Sequence, residues 1–331
     1  GIVPWNYPGL LSILKIGPAL VSGCTLVLKP SPGTVLDSYI VAEAAQEAGI
    51  PAGVINWVPG DREVGAHLVS HPGINKVAFT GSTAAGRKIA EVCGRLLRPV
   101  TLELGGKSAA IILEDAEIAP LLEGMGFASF GNNGQTCAAS TRILVPASRY
   151  DEIVDAVAGM AKSLKVGSSL DPETQIGPMA SEAHRNVVER YIAKGKTEAR
   201  LVAGGGRPKN AGNGWFVEPT VFADVDNNAT ISQEEIFGPV LSIIKYQDED
   251  DAVRIANDSD FGLGGTVWSK DSLHAQDVAR RVQTGSIGVN GYMLDINAPF
   301  GGVKASGMGR ELGPESLNSY LAYKSVYLPA G

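Results

Sequence analysis

The stretch INKVAFTGSTAAGRKIAEVCGRLLRPVTLEL, residues 74–104, contains two short β-rich runs separated by an amphipathic segment. The runs INKVAFT and VTLEL predict strands. STAAGRKIAEVCGRL between them predicts a helix, with serine and threonine as capping candidates after a glycine. Strand, helix and strand in this order are typical of a βαβ unit on a parallel sheet. The stretch therefore predicts an α/β fold of the kind that binds nucleotides.

The same alternation continues on both sides of this stretch. Upstream, CTLVLK and VINWV predict strands around the helix TVLDSYIVAEAAQEAG, which ends at Gly49. Downstream, a second α/β block is predicted from Gly105, with strands SAAIIL, TRILV, VLSIIKY, GGTVWS and SIGVN and helices YDEIVDAVAGMAKSLK and DDAVRIAND. The terminal YLAYKSVYL predicts a strand that pairs outside its own domain. We expect domains at 1–104 and 105–305, followed by a terminal segment at 306–331.

Composition narrows the class of protein. The chain has 331 residues, 44% of them hydrophobic, which is enough for two sizeable cores. Its 35 acidic and 28 basic residues give a net charge of -7 without a Lys/Arg run, which argues against a nucleic-acid partner. The absence of an apolar run of roughly 18 residues or a leader argues against a membrane protein. We expect a soluble protein, and the start at Gly1 without methionine suggests part of a longer chain.

The cysteines indicate a compartment and a candidate nucleophile. Cys24, Cys93 and Cys137 are far apart and lack metal or disulfide spacing, which favours a reducing cytoplasm. In FGNNGQTCAAS, residues 130–140, Cys137 follows Gly131, Gly134 and several amides rather than aliphatic residues, so the thiol is predicted to be accessible. A lone cysteine is nevertheless more often structural than catalytic.

Two further motifs carry groups suited to chemistry. In LELGGKS, Glu103 stands at the end of a predicted strand, where a carboxylate beside a thiol could activate water against a thioester. In FTGSTAAG, a strand leads through a glycine turn into a helix whose N-terminus favours a phosphate. Taken singly, Glu103 in LELGGKS could be a solvated carboxylate. FTGSTAAG could be a common strand-to-helix turn, because it does not match the GxGxxG fingerprint.

Two other patterns are set aside. His67 and His71 stand four apart in HLVSH, but no glutamate follows as in HExxH and Pro72 ends the helix, so a surface helix end is predicted and no metal site. AGGGRPKNAGNG, residues 203–214, lacks a clear strand before it or helix after it and predicts a flexible hairpin or loop.

In combination, the motifs resemble the NAD(P)-dependent aldehyde dehydrogenase superfamily over essentially the whole chain. The matching segments, in family order, are PWNYP, VLKPS, FTGST, LELGGKS, GNNGQTC, EEIFGP and PFGGVKASGMGRELG. The resemblance implies that Cys137 attacks an aldehyde, that Asn6 and the Cys137 amide hold the oxyanion, and that Glu103 activates the hydrolytic water. It also implies that Glu311 assists proton movement to and from Glu103.

The resemblance places the cofactor domain at 1–104 and the nucleophile in 105–305, and it implies NAD as cofactor. The cofactor residues that it implies are Trp5, Lys29, Ser31, Gly81, Ser82, Gly86, Glu235 and Phe237. Many NAD-preferring members have a glutamate three residues after the lysine, and here that position is Pro32. A 2'-phosphate would meet no carboxylate there, so NADP is expected to be tolerated.

The resemblance also suggests substrate and assembly. The implied aldehyde-tunnel positions are Tyr7, Leu14, Gly131, Leu294 and Phe300, which favour an apolar or broad aldehyde range, with core packing as the alternative role.

A homodimer or homotetramer through the terminal strand around 320–328 is expected. Family members carry a segment before PWNYP, and its absence would leave an unpaired sheet edge. The rival functions are a CoA-acylating semialdehyde dehydrogenase, a cysteine hydrolase and a non-catalytic binding protein.

Overall fold

The computed structural model describes residues 1–209 and 212–329, and the chain forms two compact units. Unit 1 consists of Gly1–Glu103, Asp295–Gly301 and Met308–Gly331. Unit 2 consists of Leu104–Leu294 and Gly302–Gly307. Each unit is built around its own β-sheet and is described separately below.

Unit 1 has an α/β arrangement with short parallel strands. The strands are β1 (Leu26–Leu28), β2 (Ile55–Trp57), β3 (Val77–Thr80) and β4 (Val100–Glu103), and β12 (Gly307–Met308) completes the order β12-β4-β3. The helices are α1 (Pro8–Val21), α2 (Leu36–Glu47), α3 (Arg62–Ser70), α4 (Thr83–Arg95) and α11 (Glu315–Asn318). β1 pairs with β2 and β3 with β4, both in parallel. Ile2 forms isolated parallel bridges with Lys29 and Phe79, so it lies between the β1–β2 sheet and the β12-β4-β3 sheet.

Local sequence signals explain where two helices of unit 1, α3 and α4, begin. The Ser82 hydroxyl accepts a hydrogen bond from the Ala85 amide and caps α4, as its position after Gly81 predicts. Asp61 caps α3 in the same way, through the amides of Glu63 and Val64. The turn between β3 and α4 therefore presents a capped helix N-terminus at the carboxyl end of a parallel strand, which is where α/β folds bind ligands.

Unit 2 is a seven-stranded sheet with helices on both faces. Its strands are β5 (Ser108–Ile112), β6 (Ser140–Pro146), β7 (Arg200–Ala203), β8 (Thr220–Ala223), β9 (Val240–Tyr246), β10 (Gly265–Trp268) and β11 (Gly288–Val289). The sheet order is β11-β10-β5-β6-β9-β8-β7, with only the β7–β8 pair antiparallel. The helices are α5 (Ile118–Phe130), α6 (Tyr150–Ser163), α7 (Glu182–Glu198), α8 (Thr230–Gln233), α9 (Glu249–Asn257) and α10 (Ser272–Ala279).

Alternate residues of the central strands supply the two cores of unit 2. Ile111 and Leu144 belong to one buried cluster, together with residues of α7, α9 and α10. Ile112 and Ile143 belong to the other, with residues of α5 and α6. Strands covered on both faces must be apolar along their whole length, which explains runs such as SAAII and RILV. The α/β fold predicted from the sequence is confirmed.

Several elements were not predicted, and one predicted strand has no pairing partner within the described chain. Helices α1, α5, α7 and α10 and the β7–β8 pair are additions to the prediction. The glycine-rich segment 203–214 belongs to the connection between antiparallel β7 and β8, in agreement with a hairpin or loop, although residues 210 and 211 lie outside the described part of the chain.

The C-terminal strand predicted around 320–328 is absent from the described chain. Residues 321–329 have no regular secondary structure, and Tyr323 and Tyr327 are 90% and 91% exposed. A strand needs a hydrogen-bonded neighbour, and no segment among the described residues pairs with this one. The alternating sequence is therefore not sufficient for a strand in the single chain.

The described residues contain neither a membrane-spanning helix nor a cluster of metal-binding side chains. No helix in that part of the chain is long and apolar enough to cross a membrane. No group of three or more His, Cys, Asp or Glu side chains in it could hold a metal ion. His67 lies in the last turn of α3 and His71 directly follows that helix.

Candidate active site

Cys137 follows a tight turn of unusual backbone conformation in unit 2. α5 ends at Phe130, and Asn132, Asn133 and Gly134 then adopt φ angles of 52°, 61° and 73°. Successive left-handed residues are rare, and asparagine and glycine are the residues that adopt this conformation most readily. The GNNG sequence therefore permits the sharp reversal that precedes the thiol, which is half-buried.

The amide side chains of this loop anchor it to the segment before α7. The Asn133 side chain donates to the Pro178 carbonyl at 3.0 Å and accepts from the Gly177 amide at 2.8 Å. The Gln135 side chain accepts from the Ala180 amide at 2.9 Å. The small and amide residues of this loop were expected to keep the sulfur accessible. These contacts show that the amide side chains fix the loop.

The glycines of LELGGKS allow other parts of unit 2 to approach closely. A β-carbon at Gly106 would lie 2.3 Å from the carbonyl oxygen of Cys137, and one at Gly105 would lie 2.4 Å from Oε2 of Glu235. Both distances are shorter than van der Waals contact, so a side chain at Gly106 would displace the Cys137 backbone and one at Gly105 would displace the Glu235 carboxylate. The structure thus brings together three motifs that are distant in the sequence: the two glycines, the cysteine loop and EEIFGP.

Glu235 is buried beside these glycines in a setting that perturbs its ionisation. Its Oε1 accepts a hydrogen bond from the Gly106 amide at 3.0 Å. Burial raises the pKa of Glu235 to about 7, while this hydrogen bond and the charge of Lys107 oppose the rise. Burial, and secondarily the charge of Arg142, lowers the pKa of Lys107 to about 7. Within the described residues, the Lys107 ammonium has no hydrogen-bond partner.

A cluster of buried charges surrounds Glu103 in unit 1. Glu103 is 3% exposed, and neither of its carboxylate oxygens has a hydrogen-bond partner among the described residues. Burial, followed by repulsion from Glu311, raises the pKa of Glu103 well above its usual value, and Lys15 opposes the rise. A carboxyl group with a raised pKa can take up a proton near neutral pH, as a general base requires.

Glu311 is held by both its backbone and its side chain. Its amide and carbonyl exchange hydrogen bonds with Phe300 at 2.8 and 2.7 Å. Its carboxylate lies 2.7 Å from the ammonium of Lys15, which is fully buried and also donates to Thr80 Oγ1 at 2.7 Å. Lys15 was not identified from the sequence. The sequence feature that could have identified it is that Lys15 is the one charged residue in PGLLSILKIGPALV, a segment that is otherwise mostly apolar.

Five of the predicted cofactor residues line one cavity of about 710 Å³ in unit 1: Trp5, Lys29, Ser31, Gly81 and Ser82. Its size lies within the range of small-molecule sites. Lys29 is buried and donates to the Gly60 and Pro30 carbonyls at 2.6 and 2.9 Å. Gly86 does not line the cavity, because it lies buried within α4 with its amide bonded to the Ser82 carbonyl.

The residues predicted to bind the substrate do not all line one cavity of the described chain. Leu14 lines a cavity of about 240 Å³ in unit 1 with Ile13, Pro18 and Ile296. Tyr7 and Phe300 do not line it, although they belong to the same unit. Leu294, in unit 2, is 37% exposed, and Asn6, in unit 1, is partly buried.

Comparison with known proteins identifies the family. The model of the aldehyde dehydrogenase family matches residues 1–326. The chain belongs to this family. The NAD(P)-dependent aldehyde dehydrogenase class predicted from the sequence is thereby confirmed, and the protein is an oxidoreductase that acts on aldehydes.

Relatives of this aldehyde dehydrogenase include enzymes and solved structures. A geranial dehydrogenase of Castellaniella defragrans is 67% identical over 99% of the chain and 68% of its own length. A betaine aldehyde dehydrogenase of Rhizobium leguminosarum is 43% identical over 100% of the chain and 69% of its own length. The crystal structure of a Mycobacterium tuberculosis aldehyde dehydrogenase complexed with NAD+ has a TM-score of 0.98 and 52% identity, covering 100% of the chain and 68% of the other. The chain therefore spans about two thirds of each.

Proposed function

We propose that the protein oxidises an apolar aldehyde to a carboxylic acid with NAD, through a thioester on Cys137. The observation that supports this most directly is the convergence in unit 2 of the GGK glycines, the Glu235 carboxylate and the Cys137 backbone. Substitution at either glycine would displace groups assigned here to the cofactor or to the nucleophile. A merely structural cysteine would not need that arrangement.

The cavity in unit 1 fits the adenosine and pyrophosphate parts of NAD. Gly81 and Ser82 form its turn at the capped N-terminus of α4, where exposed amides favour a phosphate. Lys29 would hold the adenosine ribose, Trp5 and Ser31 would line the same cleft, and Glu235 and Phe237 of unit 2 would bind the nicotinamide ribose and ring. Pro32, which lines the cavity beside Ser31, brings no negative charge, so NADP should be tolerated.

The chemistry proposed for Cys137 proceeds in balanced steps. The Cys137 thiol releases its proton to solvent, and its Sγ bonds to the aldehyde carbon as the carbonyl π bond opens. The Asn6 amide and the Cys137 backbone amide stabilise the resulting oxyanion. NAD held by the residues assigned above would supply the acceptor for the former aldehyde hydrogen and its bonding electron pair as the oxyanion collapses. Cys137 then carries a thioester.

Glu103 is assigned to the hydrolysis of that thioester. Its raised pKa supports a role in taking a proton from the attacking water. The buried Lys15–Glu311 pair supports proton movement to and from Glu103, because all three groups interact electrostatically within unit 1. A CoA-acylating enzyme would not need such a base, so hydrolysis is the favoured fate.

The remaining assignments are also proposals. An apolar substrate is supported by the Leu14 cavity and by the name of the 67% identical geranial dehydrogenase. A cytoplasmic location is supported by the wide spacing of Cys24, Cys93 and Cys137, which suits neither a disulfide nor a metal site. A homodimer or homotetramer is supported by exposed Leu321, Val326 and Leu328 in the terminal segment. We assign residues 1–104 to cofactor binding, 105–305 to the nucleophile and 306–331 to assembly.

The experiment follows absorbance of reduced nicotinamide with geranial, other apolar aldehydes and betaine aldehyde. NAD and NADP are compared on the full-length protein, without CoA, for the wild type and Cys137→Ala. Cys93→Ala serves as the matched control, because Cys93 is a buried thiol in α4 that the proposed chemistry does not use. Oxidation by the wild type and the control, and its loss in Cys137→Ala, is the expected result. Oxidation that persists in Cys137→Ala would overturn the proposal.

A further inference from the structure

Phe237 has a backbone conformation that needs external support. Its φ angle is 59°, in the left-handed region that is unfavourable for a residue with a β-carbon. The segment Glu235–Phe237 is also the part of unit 2 that the proposed function assigns to the nicotinamide end of the cofactor. Whatever stabilises this conformation therefore also controls where those two side chains lie.

Contacts on both sides hold the segment. A β-carbon at Gly238 would lie 2.6 Å from Cγ2 of Val188 in α7, and one at Gly134 would lie 2.3 Å from the Gly238 carbonyl oxygen. Gly238, the residue after Phe237, thus packs closely against both sides. Its carbonyl group lies against the cysteine loop, and its α-carbon lies against α7. These close approaches leave no room for a side chain at Gly238, but they do not select the orientation of the Phe237 carbonyl.

His184 supplies the directional contact. Its Nε2 lies 2.6 Å from the Phe237 carbonyl oxygen, and the two rings meet edge to face with centroids 5.9 Å apart at 73°. A carbonyl oxygen only accepts, so Nε2 carries the proton. The histidine itself is fixed in the first turn of α7, where its amide donates to the capping Ser181 hydroxyl at 3.1 Å.

We propose that His184 is a positioning residue for the nicotinamide end of the cofactor site. Its Nε2–H holds the Phe237 carbonyl in the orientation that the left-handed backbone requires, and its ring supports the edge of the Phe237 ring. Through the backbone of Glu235–Phe237, this contact sets the position of the Glu235 carboxylate. The inference rests on the proposed function, which assigns Glu235 and Phe237 to the cofactor.

The test compares His184→Leu with His184→Gln, whose side chain retains a hydrogen-bond donor. NADH binding is measured by its fluorescence, and ADP, which lacks nicotinamide and its ribose, is measured by calorimetry. We expect His184→Leu to weaken NADH binding about tenfold, the effect of one lost hydrogen bond, and to leave ADP binding unchanged. His184→Gln should bind NADH within about threefold of the wild type. KM for NAD should follow the NADH result, while KM for the aldehyde stays constant.

His274→Leu is the matched control, because its Nε2 lies 2.6 Å from Glu249 on the exposed surface of unit 2. Unchanged NADH binding in His184→Leu, equal weakening of NADH and ADP, or a His184→Gln variant as impaired as His184→Leu would overturn the inference. If the wild type itself fails to bind NADH, the proposed function fails instead. The two failures are therefore distinguishable.

Discussion

Replacing Gly106 by alanine is the sharpest test of how the cysteine loop is positioned. The added β-carbon would lie 2.3 Å from the Cys137 carbonyl oxygen, 3.4 Å from the Cys137 carbonyl carbon and 3.3 Å from Cβ of Leu263. The closest atom belongs to the backbone, so no side-chain rotation relieves the overlap. Either the cysteine loop or the segment around Gly106 must move.

The size of that movement follows from the distance. An ordinary carbon–oxygen contact is about 1 Å longer than 2.3 Å, so the backbones of Gly106 and Cys137 should move about 1 Å further apart. A misplacement of about 1 Å at a reacting group can cost about 100-fold in rate. We therefore expect kcat of Gly106→Ala to fall about 100-fold. The loop is also anchored by Asn133 and Gln135, which limits its ability to relax.

The assay measures kcat for NADH formation together with the rate of Cys137 alkylation by iodoacetamide. Gly126→Ala in α5 is the matched control, because a β-carbon there meets no atom within 4 Å and α5 leads into the same loop. The control should retain the wild-type kcat. A Gly106→Ala enzyme with kcat within about twofold of the wild type would refute the steric argument, since no 1 Å shift could then have occurred.

Three further outcomes follow from the buried groups and the loop. Lys15→Met leaves Glu311 buried without its partner and should lower the free energy of unfolding by about 3–5 kcal/mol in urea titrations; a loss below about 1 kcal/mol would contradict the pairing. Because burial raises the pKa of Glu103, ionisation destabilises the folded state progressively as pH rises above 4.5. The stability advantage of Glu103→Gln over the wild type should thus be larger at about pH 8 than at about pH 5 in urea titrations, and a pH-independent difference would argue against the shift. Asn133→Ala loses two hydrogen bonds and retains a left-handed φ, so it should lower stability by about 2 kcal/mol and alter the Cys137 alkylation rate, whereas wild-type values for both would show that the amide does not anchor the loop.

The fold was predictable where local sequence signals agree with the tertiary structure. Strands such as VLSIIKY are apolar and β-branched, and α4 begins at a glycine followed by a serine cap, so periodicity and capping suffice. α1 was not predicted because it begins with Pro8 and Gly9 and contains Pro18, which resemble loop signals. The terminal strand, predicted to pair outside its own domain, stays a prediction, because alternation alone does not supply the neighbour that a strand needs.

The site was predictable only where function is encoded in contiguous motifs. Cys137, Glu103 and Glu235 lie in short recognisable segments, and five of the implied cofactor residues share one cavity. Lys15 and His184 were missed because their partners, Glu311 and Phe237, lie 296 and 53 positions away in the chain. No local pattern distinguishes such residues from ordinary helix positions, and only the folded structure brings the partners together.

The most direct test of the thioester account is mass spectrometry of the full-length Glu103→Gln variant mixed with NAD and geranial. The account predicts one NADH per active site in a rapid burst and an acyl group on the peptide that contains Cys137, because the thioester forms but its hydrolysis lacks a base. Continuous NADH production without an adduct on that peptide, or an adduct confined to Cys24 or Cys93, would contradict it.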